Sequence, residues 1–247
     1  MEERADVILL RSEDEGDDRY VSAFAQTGLH AVCEPVLAFN YPNQSALQNH
    51  LTHRDQYAGI IATSPRVASA LERLFAERED LARSWRGALA YAVGPKTAQR
   101  LRDVGLGLEP RGQDTGDADA LASRIVEDAP GSPLLFLSGN RRRDTLPNQL
   151  RAADVPFDEV VVYETRLRQD LTLSPSDGST WLAFFSPSGL EAVEQTDAID
   201  LSEYRLTAIG STTGGALEEA GHSVAAVAEE PSPEGLVSAI QVVEEDA

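Results

Sequence analysis

Short apolar runs that alternate with helix-spaced segments constrain this chain more than any other feature. "DVILL", "VCEPVLAF", "GIIATS", "LAYAVG", "LLFLS", "EVVVYET", "WLAFFS", "LTAIG" and "SVAAVA" have strand length and are mostly apolar. Between them, segments such as Val67 to Phe75, Thr97 to Val104 and Thr213 to Ala220 carry apolar residues at three- and four-residue spacing, the period of a helix that buries one face. Strand followed by helix, repeated, predicts parallel sheets covered on both faces, an α/β fold.

The chain also resembles itself. "AVGPKTAQRLRDVG" (92–105) aligns without gaps on "AIGSTTGGALEEAG" (208–221), placing Gly94 over Gly210, Thr97 over Thr213 and Leu101 over Leu217. Upstream of each lies a strand-to-helix corner of the same kind, "IIATSPRVASAL" (60–71) and "LAFFSPSGLEAV" (182–193). A weaker match joins residues 8–36, which open with "ILLRSE", to residues 135–163, which open with "LFLSGN". The order is opening unit, SP corner, GxxT corner, then the same again, which predicts two similar lobes. Tandem lobes with a boundary near "EDAPGSP" (127–133) and an inserted lobe both satisfy that order. In the second case the connections run through residues 35–39 and 163–167, a hinge of two strands.

At 247 residues the chain has room for one large core or two modest ones, since domains usually run to roughly 100–200 residues. Its net charge of -20 repels phosphate backbones and excludes non-specific nucleic-acid binding. Lys96 is the only lysine among 21 basic residues, so nearly every positive charge is an arginine. Such a surface suits solubility in a salty interior. Cys33 stands alone, which excludes an intrachain disulfide and points to a reducing compartment. The N-terminal residues lack a basic region followed by a long apolar run, and no stretch approaches the ~20 apolar residues that span a bilayer. The expectation is a cytoplasmic protein that binds neither membrane nor nucleic acid.

In both SP corners, Ser64-Pro65 and Ser186-Pro187, serine suits a helix cap and proline the first helical position, where its missing N–H costs nothing. Any one such corner reads most simply as a good helix start. Four related corners at the carboxyl ends of parallel strands, however, present unbonded N–H groups and partial positive charge together, as an anion-receiving surface does. "VGPKT" and "IGSTT" match neither the Walker A loop nor G-x-G-x-x-G, so a nucleotide site is not predicted. "LSGNRRRDTLP" (137–147) adds Gly139 and three arginines at another strand end; a run of arginines is ordinarily a solvated face. Of the histidines, only His50 and His53 approach a ligand spacing, in a polar segment. No G-x-S-x-G elbow occurs, and Cys33 lies in a predicted strand, where burial is expected. Chemistry without metal, cofactor or covalent nucleophile is the expectation.

In the order and spacing of "TSPR", "AVGPKTA", "LFLSGNRRRDTLP", "VVVYET", "FFSPSGL", "AIGSTTGGAL" and the closing "AEEPSPEGLVSAI", the chain resembles the uroporphyrinogen-III synthase family over nearly its whole length. The opening "RSEDEGDDRYVSAF" departs from the threonine that many members carry before the arginine at position 11. The resemblance implies two similar parallel-sheet α/β lobes, one inserted in the other and joined by a two-stranded hinge: residues 1–37 with 168–247, and 38–167. It implies hydroxymethylbilane as substrate, a linear tetrapyrrole rich in carboxylates, cyclised with loss of water and inversion of ring D to uroporphyrinogen III. That product lies on the routes to haem, sirohaem and cobalamin. It implies no cofactor and a monomer; an unstable substrate is compatible with transient contact with the preceding enzyme of the pathway.

By the same resemblance Tyr163 is the catalytic residue, placed near the leaving hydroxyl. A phenol is protonated at neutral pH and able to act as a general acid. Substrate-binding residues are implied at Arg11, Thr63, Ser64, Arg66, Lys96, Thr97, Ser138, Gly139, Asn140, Arg141, Ser186, Ser188, Gly189, Ser211, Thr212 and Thr213. An acidic protein holds an acidic substrate if backbone amides and a few arginines face it while carboxylates face solvent. The alternative reading is a non-catalytic, two-lobed cytoplasmic binder or sensor of small anions, which would share the same corners.

Overall fold

A computed structural model describes residues 4–14, 16–196 and 198–245 of the chain. It begins with β1 (Val7–Leu10), α1 (Arg19–Gln26), β2 (Ala31–Cys33) and β3 (Leu37–Asn40). Next come α2 (Gln44–Thr52), β4 (Gly59–Ala62), α3 (Arg66–Glu77), α4 (Glu79–Ser84), β5 (Leu89–Ala92), α5 (Gly94–Asp103), α6 (Ala118–Asp128), β6 (Leu134–Gly139), α7 (Thr145–Ala152) and the long β7 (Phe157–Leu167). The rest is β8 (Trp181–Phe184), α8 (Pro187–Glu194), β9 (Arg205–Ala208), α9 (Ser211–Glu219), β10 (Val224–Val227) and α10 (Pro233–Glu245). Two compact units result: one joins the residues up to Ala38 to those from Arg166 on, and the other is Phe39–Thr165. The chain crosses between them in β3 and again in β7, which are neighbours in one sheet. No described helix is long and apolar enough to cross a membrane.

The first unit holds a five-stranded sheet ordered β10-β9-β8-β1-β2, every pair parallel. All of β1 is buried, and because successive side chains take opposite faces it feeds two cores. Ile8, Leu10, Leu182 and Phe184 pack with Leu190 and Val193 of α8 and Leu217 of α9. Val7, Leu9, Trp181 and Ala183 pack with Phe24 of α1 and with Leu236 and Ile240 of α10. Burying each large side chain contributes about 1.5–3 kcal/mol, so a charge in these runs would be costly on either face.

The second unit holds the order β3-β7-β6-β4-β5, with β5, β4, β6 and β7 mutually parallel. Ile60, Ala62, Leu135 and Leu137 face Val67, Leu71 and Leu74 of α3 and Leu101 of α5. Ile61, Leu134 and Phe136 face Leu121 and Ile125 of α6 and Leu146 and Leu150 of α7. Trp85, after α4, is almost fully buried and donates its indole N–H to the Leu51 carbonyl at 2.8 Å.

The repeat seen in the sequence has a spatial meaning. In both sheets the opening strand (β1, β6) sits between its following strand (β2, β7) and the SP strand (β8, β4), with the GxxT strand (β9, β5) beyond. Where β10 lies beside β9, the second unit has a single parallel bridge from Arg111 to Tyr91 of β5. The two sheets therefore share one plan, entered at different points of the chain. Tandem lobes, the other arrangement compatible with the repeat, do not form. Cys33 is half-buried rather than buried in its strand, and desolvation, aided by the nearby Asp18 charge, pushes its thiol up to about 12.

Candidate active site

In each sheet the opening strand and its SP neighbour send their following helices to opposite faces. β4 leads to α3 on the Leu137 face, whereas β6 leads to α7 on the Phe136 face. In the first unit β8 leads to α8 and β1 to α1, again on opposite faces. Diverging connections leave a crevice at the carboxyl ends of such strands, the usual ligand position in open parallel sheets. In the second unit the pairing of Ala62 with Leu137 carries Thr63 and Ser64 alongside Ser138 and Gly139 at the lip of that crevice.

Tyr163 reaches this lip because of an irregularity in β7. Ser138 pairs with Val161, but the next residue, Gly139, pairs with Tyr163, which leaves Val162 as an extra residue. Strand side chains alternate, so without the extra residue Tyr163 would face away from Val162; a bulge re-aims it. Val160, Val162 and Tyr163 accordingly all join the cluster beneath α3. The ring lies directly over Gly139, where an added Cβ would be 2.2 Å from Cζ and 2.5 Å from the hydroxyl oxygen of Tyr163. Gly139 is not among the residues of positive φ, so a glycine is needed there for room and not for backbone freedom. Among the described residues the Tyr163 hydroxyl has no hydrogen-bond partner.

Asn140, exposed at the end of β6, holds the far side of this strand. Its backbone N–H donates to the Tyr163 carbonyl at 3.2 Å. Its side-chain oxygen accepts from the Thr165 N–H at 2.9 Å, and its side-chain nitrogen donates to the Thr165 carbonyl at 3.3 Å. Ser138, by contrast, points to the opposite face. It is fully buried, and its hydroxyl donates to Glu159 at 2.7 Å. Arg142 grips the same carboxylate through Nε and Nη2 and also pairs with Asp144. Burial would raise the Glu159 carboxyl, but the bonds from Arg142 and Ser138 hold it below the ordinary range. Of the arginine run, Arg142 is thus a structural tie. Arg141 and Arg143 are exposed without ion pairs among the described residues.

At the first SP corner the Ser64 hydroxyl accepts from the Arg66 N–H at 3.3 Å, but α3 starts one residue later than the sequence suggests, with Pro65 and not Ser64 in the cap position. The Arg66 guanidinium lies 3.6 Å from the ring centroid of Phe39 in β3, the strand beside β7. It has no ion pair among the described residues. Lys96 is exposed in the first turn of α5 and likewise unpaired, whereas Thr97 is buried at 4% exposure. The aligned glycines turn differently: Gly94 has φ +75°, a left-handed value that favours glycine, while Gly210 is extended.

In the first unit Ser186 caps α8 by position only, since its side chain makes no capping bond. Ser188 is half-buried, and Ser211 and Thr212 are exposed in the first turn of α9. Thr213 is buried, and its N–H and that of Gly214 return to the Gly210 carbonyl. The N–H groups of Ser211 and Thr212 keep the outward position that every helix start leaves unbonded. Gly189 is buried, and a Cβ added there would meet Phe184 at 3.4 Å and Leu10 at 3.9 Å, ordinary contact distances. Arg11 sits at the β1/β8 crevice, but Asp18 at 2.7 Å and Asp14 at 3.1 Å occupy its guanidinium. Tyr20 and Phe185 stack on it at 4.9 and 5.5 Å. Asp18, 3% exposed, also accepts from the N–H groups of Asp14, Tyr20 and Val21.

Sequence reasoning missed Asp18, Glu159, Thr165 and Phe39. None carries a motif, and the partners of Glu159, Thr165 and Phe39 lie many residues away. His50 and His53 serve other ends. His50 meets the Tyr57 hydroxyl at 2.6 Å, which donates on to Asp158 at 2.6 Å, and His53 meets the Asn49 carbonyl.

A family model described as uroporphyrinogen-III synthase HemD matches residues 18–238. The uroporphyrinogen-III synthase of Schizosaccharomyces pombe is 29% identical over 254 residues, covering 97% of both chains. That of Saccharomyces cerevisiae is 28% identical, covering 96% of this chain and 95% of its own. Among solved structures, uroporphyrinogen-III synthetase from Helicobacter pylori aligns with a TM-score of 0.62 at 20% identity, over 97% of this chain and all of the other. A mutant uroporphyrinogen III synthase from Thermus thermophilus aligns at 0.51 and 18% identity, over 98% of this chain and all of the other. At such identities these two likenesses speak for the fold.

Proposed function

The chain belongs to the uroporphyrinogen-III synthase family, and from that premise we propose that it closes hydroxymethylbilane to uroporphyrinogen III with Tyr163 as general acid. The phenol donates its proton as the C–O bond of the terminal hydroxymethyl group breaks, so the hydroxyl leaves as water. The electron-poor carbon left behind is attacked by the substituted carbon of the last ring. The resulting spiro centre reopens in the inverted sense before the macrocycle closes. The proton shed when the pyrroles regain aromaticity balances the one donated, and no oxidant or reductant is required.

One observation carries this reading. Among the described residues, a phenol hydroxyl without a hydrogen-bond partner rests on a glycine at a strand-end crevice, next to a sheet edge where Arg66 has no ion pair. Arg66, Lys96 and Arg141, without ion pairs among the described residues, offer cations to substrate carboxylates in the second unit, with Thr63, Ser64 and Thr97 near them in the chain. In the first unit the helix starts at Ser186, Ser188, Ser211 and Thr212 offer backbone N–H donors without adding charge, whereas the N–H of Thr213 is taken by the Gly210 carbonyl. Ser138, Gly189 and Arg11 have their groups engaged elsewhere and serve the architecture of the rims.

The isomer produced is the test. Freshly generated hydroxymethylbilane closes unaided to the type I isomer, so purified protein is expected to give type III as the main product. Type I alone would leave a binder of acidic tetrapyrroles without catalysis, the alternative reading.

A further inference from the structure

We propose that Gly139 and Asn140 are positioning residues for Tyr163: one supplies the floor beneath the phenol, and the other locks the bulge that aims it. The inference rests on the catalytic reading of Tyr163 but assigns these two residues a part that does not require contact with substrate.

Three independent features converge on the same few ångströms. First, the register slips between Ser138 and Gly139, so the backbone that carries Tyr163 departs from the regular ladder at the point where the side chain must be aimed. A bulge left to itself is a soft place in a strand, because its extra residue is unpaired. Second, the ladder is rebuilt beyond the bulge by a side chain. The backbone of Asn140 bonds to the Tyr163 carbonyl, and its amide bonds to both the N–H and the carbonyl of Thr165, two residues on. The carboxamide has a donor and an acceptor in one plane, as a peptide group does, and so imitates the missing strand neighbour. Third, the ring occupies the space of an absent Cβ at Gly139. Any larger residue there displaces the phenol itself, since the atoms in conflict are Cζ, Cε2 and the hydroxyl oxygen.

Asn140 is exposed, and nothing in the packing of the second core needs its amide. Its bonds serve β7 alone, in the stretch that begins at Tyr163. General acids act within a narrow window of distance and angle, and a displacement of about 1 Å costs on the order of a hundredfold in rate.

The experiment is a double-mutant cycle between Asn140→Ala and Tyr163→Phe, with kcat, KM, type III to type I ratio and melting temperature measured for all four proteins. Asn140→Ala is expected to lower kcat about tenfold with KM nearly unchanged, and to have no further effect once the phenol is gone. Asn140→Asp, which keeps the acceptor for the Thr165 N–H and loses the donor, is expected to recover part of the rate. Equal losses from Asn140→Ala in both backgrounds, or a rise in KM with kcat intact, would overturn the inference and make Asn140 a substrate contact. If Tyr163→Phe itself turns over at the wild-type rate, the catalytic reading of Tyr163 fails instead, which this cycle reads separately. Gly139→Ala extends the test: it is expected to reproduce the kcat loss, and its full activity in a folded protein would equally overturn the floor assignment. Should that variant not fold, the Asn140 cycle decides alone.

Discussion

Tyr163 combines a hydroxyl that is unbonded among the described residues with a ring set against Gly139, so the role proposed for its hydroxyl and its packing can be separated by removing one atom. Tyr163→Phe is expected to keep the melting temperature of the wild type and to lower kcat about a hundredfold, read by initial rates on freshly made substrate. In the sequence this residue is singled out through "VVVYET" alone, and only by resemblance. Its reach was not legible there, because period-two alternation along β7 would have assigned Val162 and Tyr163 to opposite faces. Ser138 illustrates the converse. The family resemblance implied a substrate contact there, while in the structure alternation turns Ser138 away from Gly139 and its hydroxyl donates to Glu159.

At the scale of elements, strands and corners were the legible part. Runs buried on both faces, such as β1 and β8, announce parallel sheets through their composition. α2 is less readable, because only Leu47 and Leu51 are buried along it, too few to establish a period. The start of α1 was also hidden. Asp18, one carboxylate in the acidic run "SEDEGDD", caps this helix and closes the β1 loop by accepting three N–H groups and the Arg11 guanidinium. Asp18→Ala is expected to cost about 3 kcal/mol of stability, measured as a lowered urea midpoint. The pH dependence has a definite sign. Burial would raise the Asp18 carboxyl, but the backbone bonds and Arg11 outweigh it and hold it below its ordinary value, and Glu159 is lowered likewise. Stability from a lowered carboxyl is fully present above its unfolded pKa, about 4, and disappears as pH falls through the lower folded value. The urea midpoint should therefore be level from neutrality to about pH 5 and decline below pH 4, with a shallower decline in Asp18→Asn.

For the whole molecule, the net charge of -20 sets a background against which local donors must work. Long-range repulsion between like-charged protein and substrate is screened by salt, whereas the short-range contacts proposed for Arg66 and the helix starts would be screened far less. Raising NaCl from about 10 mM to about 150 mM shortens the screening length from roughly 30 Å to 8 Å and is expected to increase kcat/KM and the melting temperature together. A steep fall in kcat/KM over that range would mean that exposed cations dominate recognition. Composition alone made the charge legible. It gave no sign that Arg66 would lack a counter-ion while Arg11, Arg142 and Arg168 would not. Pairing depends on which loops meet.

β3 and β7 run as adjacent strands, so the segment they bracket departs and returns through a doorway about 5 Å wide, the spacing of neighbours in a sheet. A segment that leaves and returns through so narrow a doorway needs no long connector at either end, so each sheet keeps the same plan although the chain enters the two at different strands.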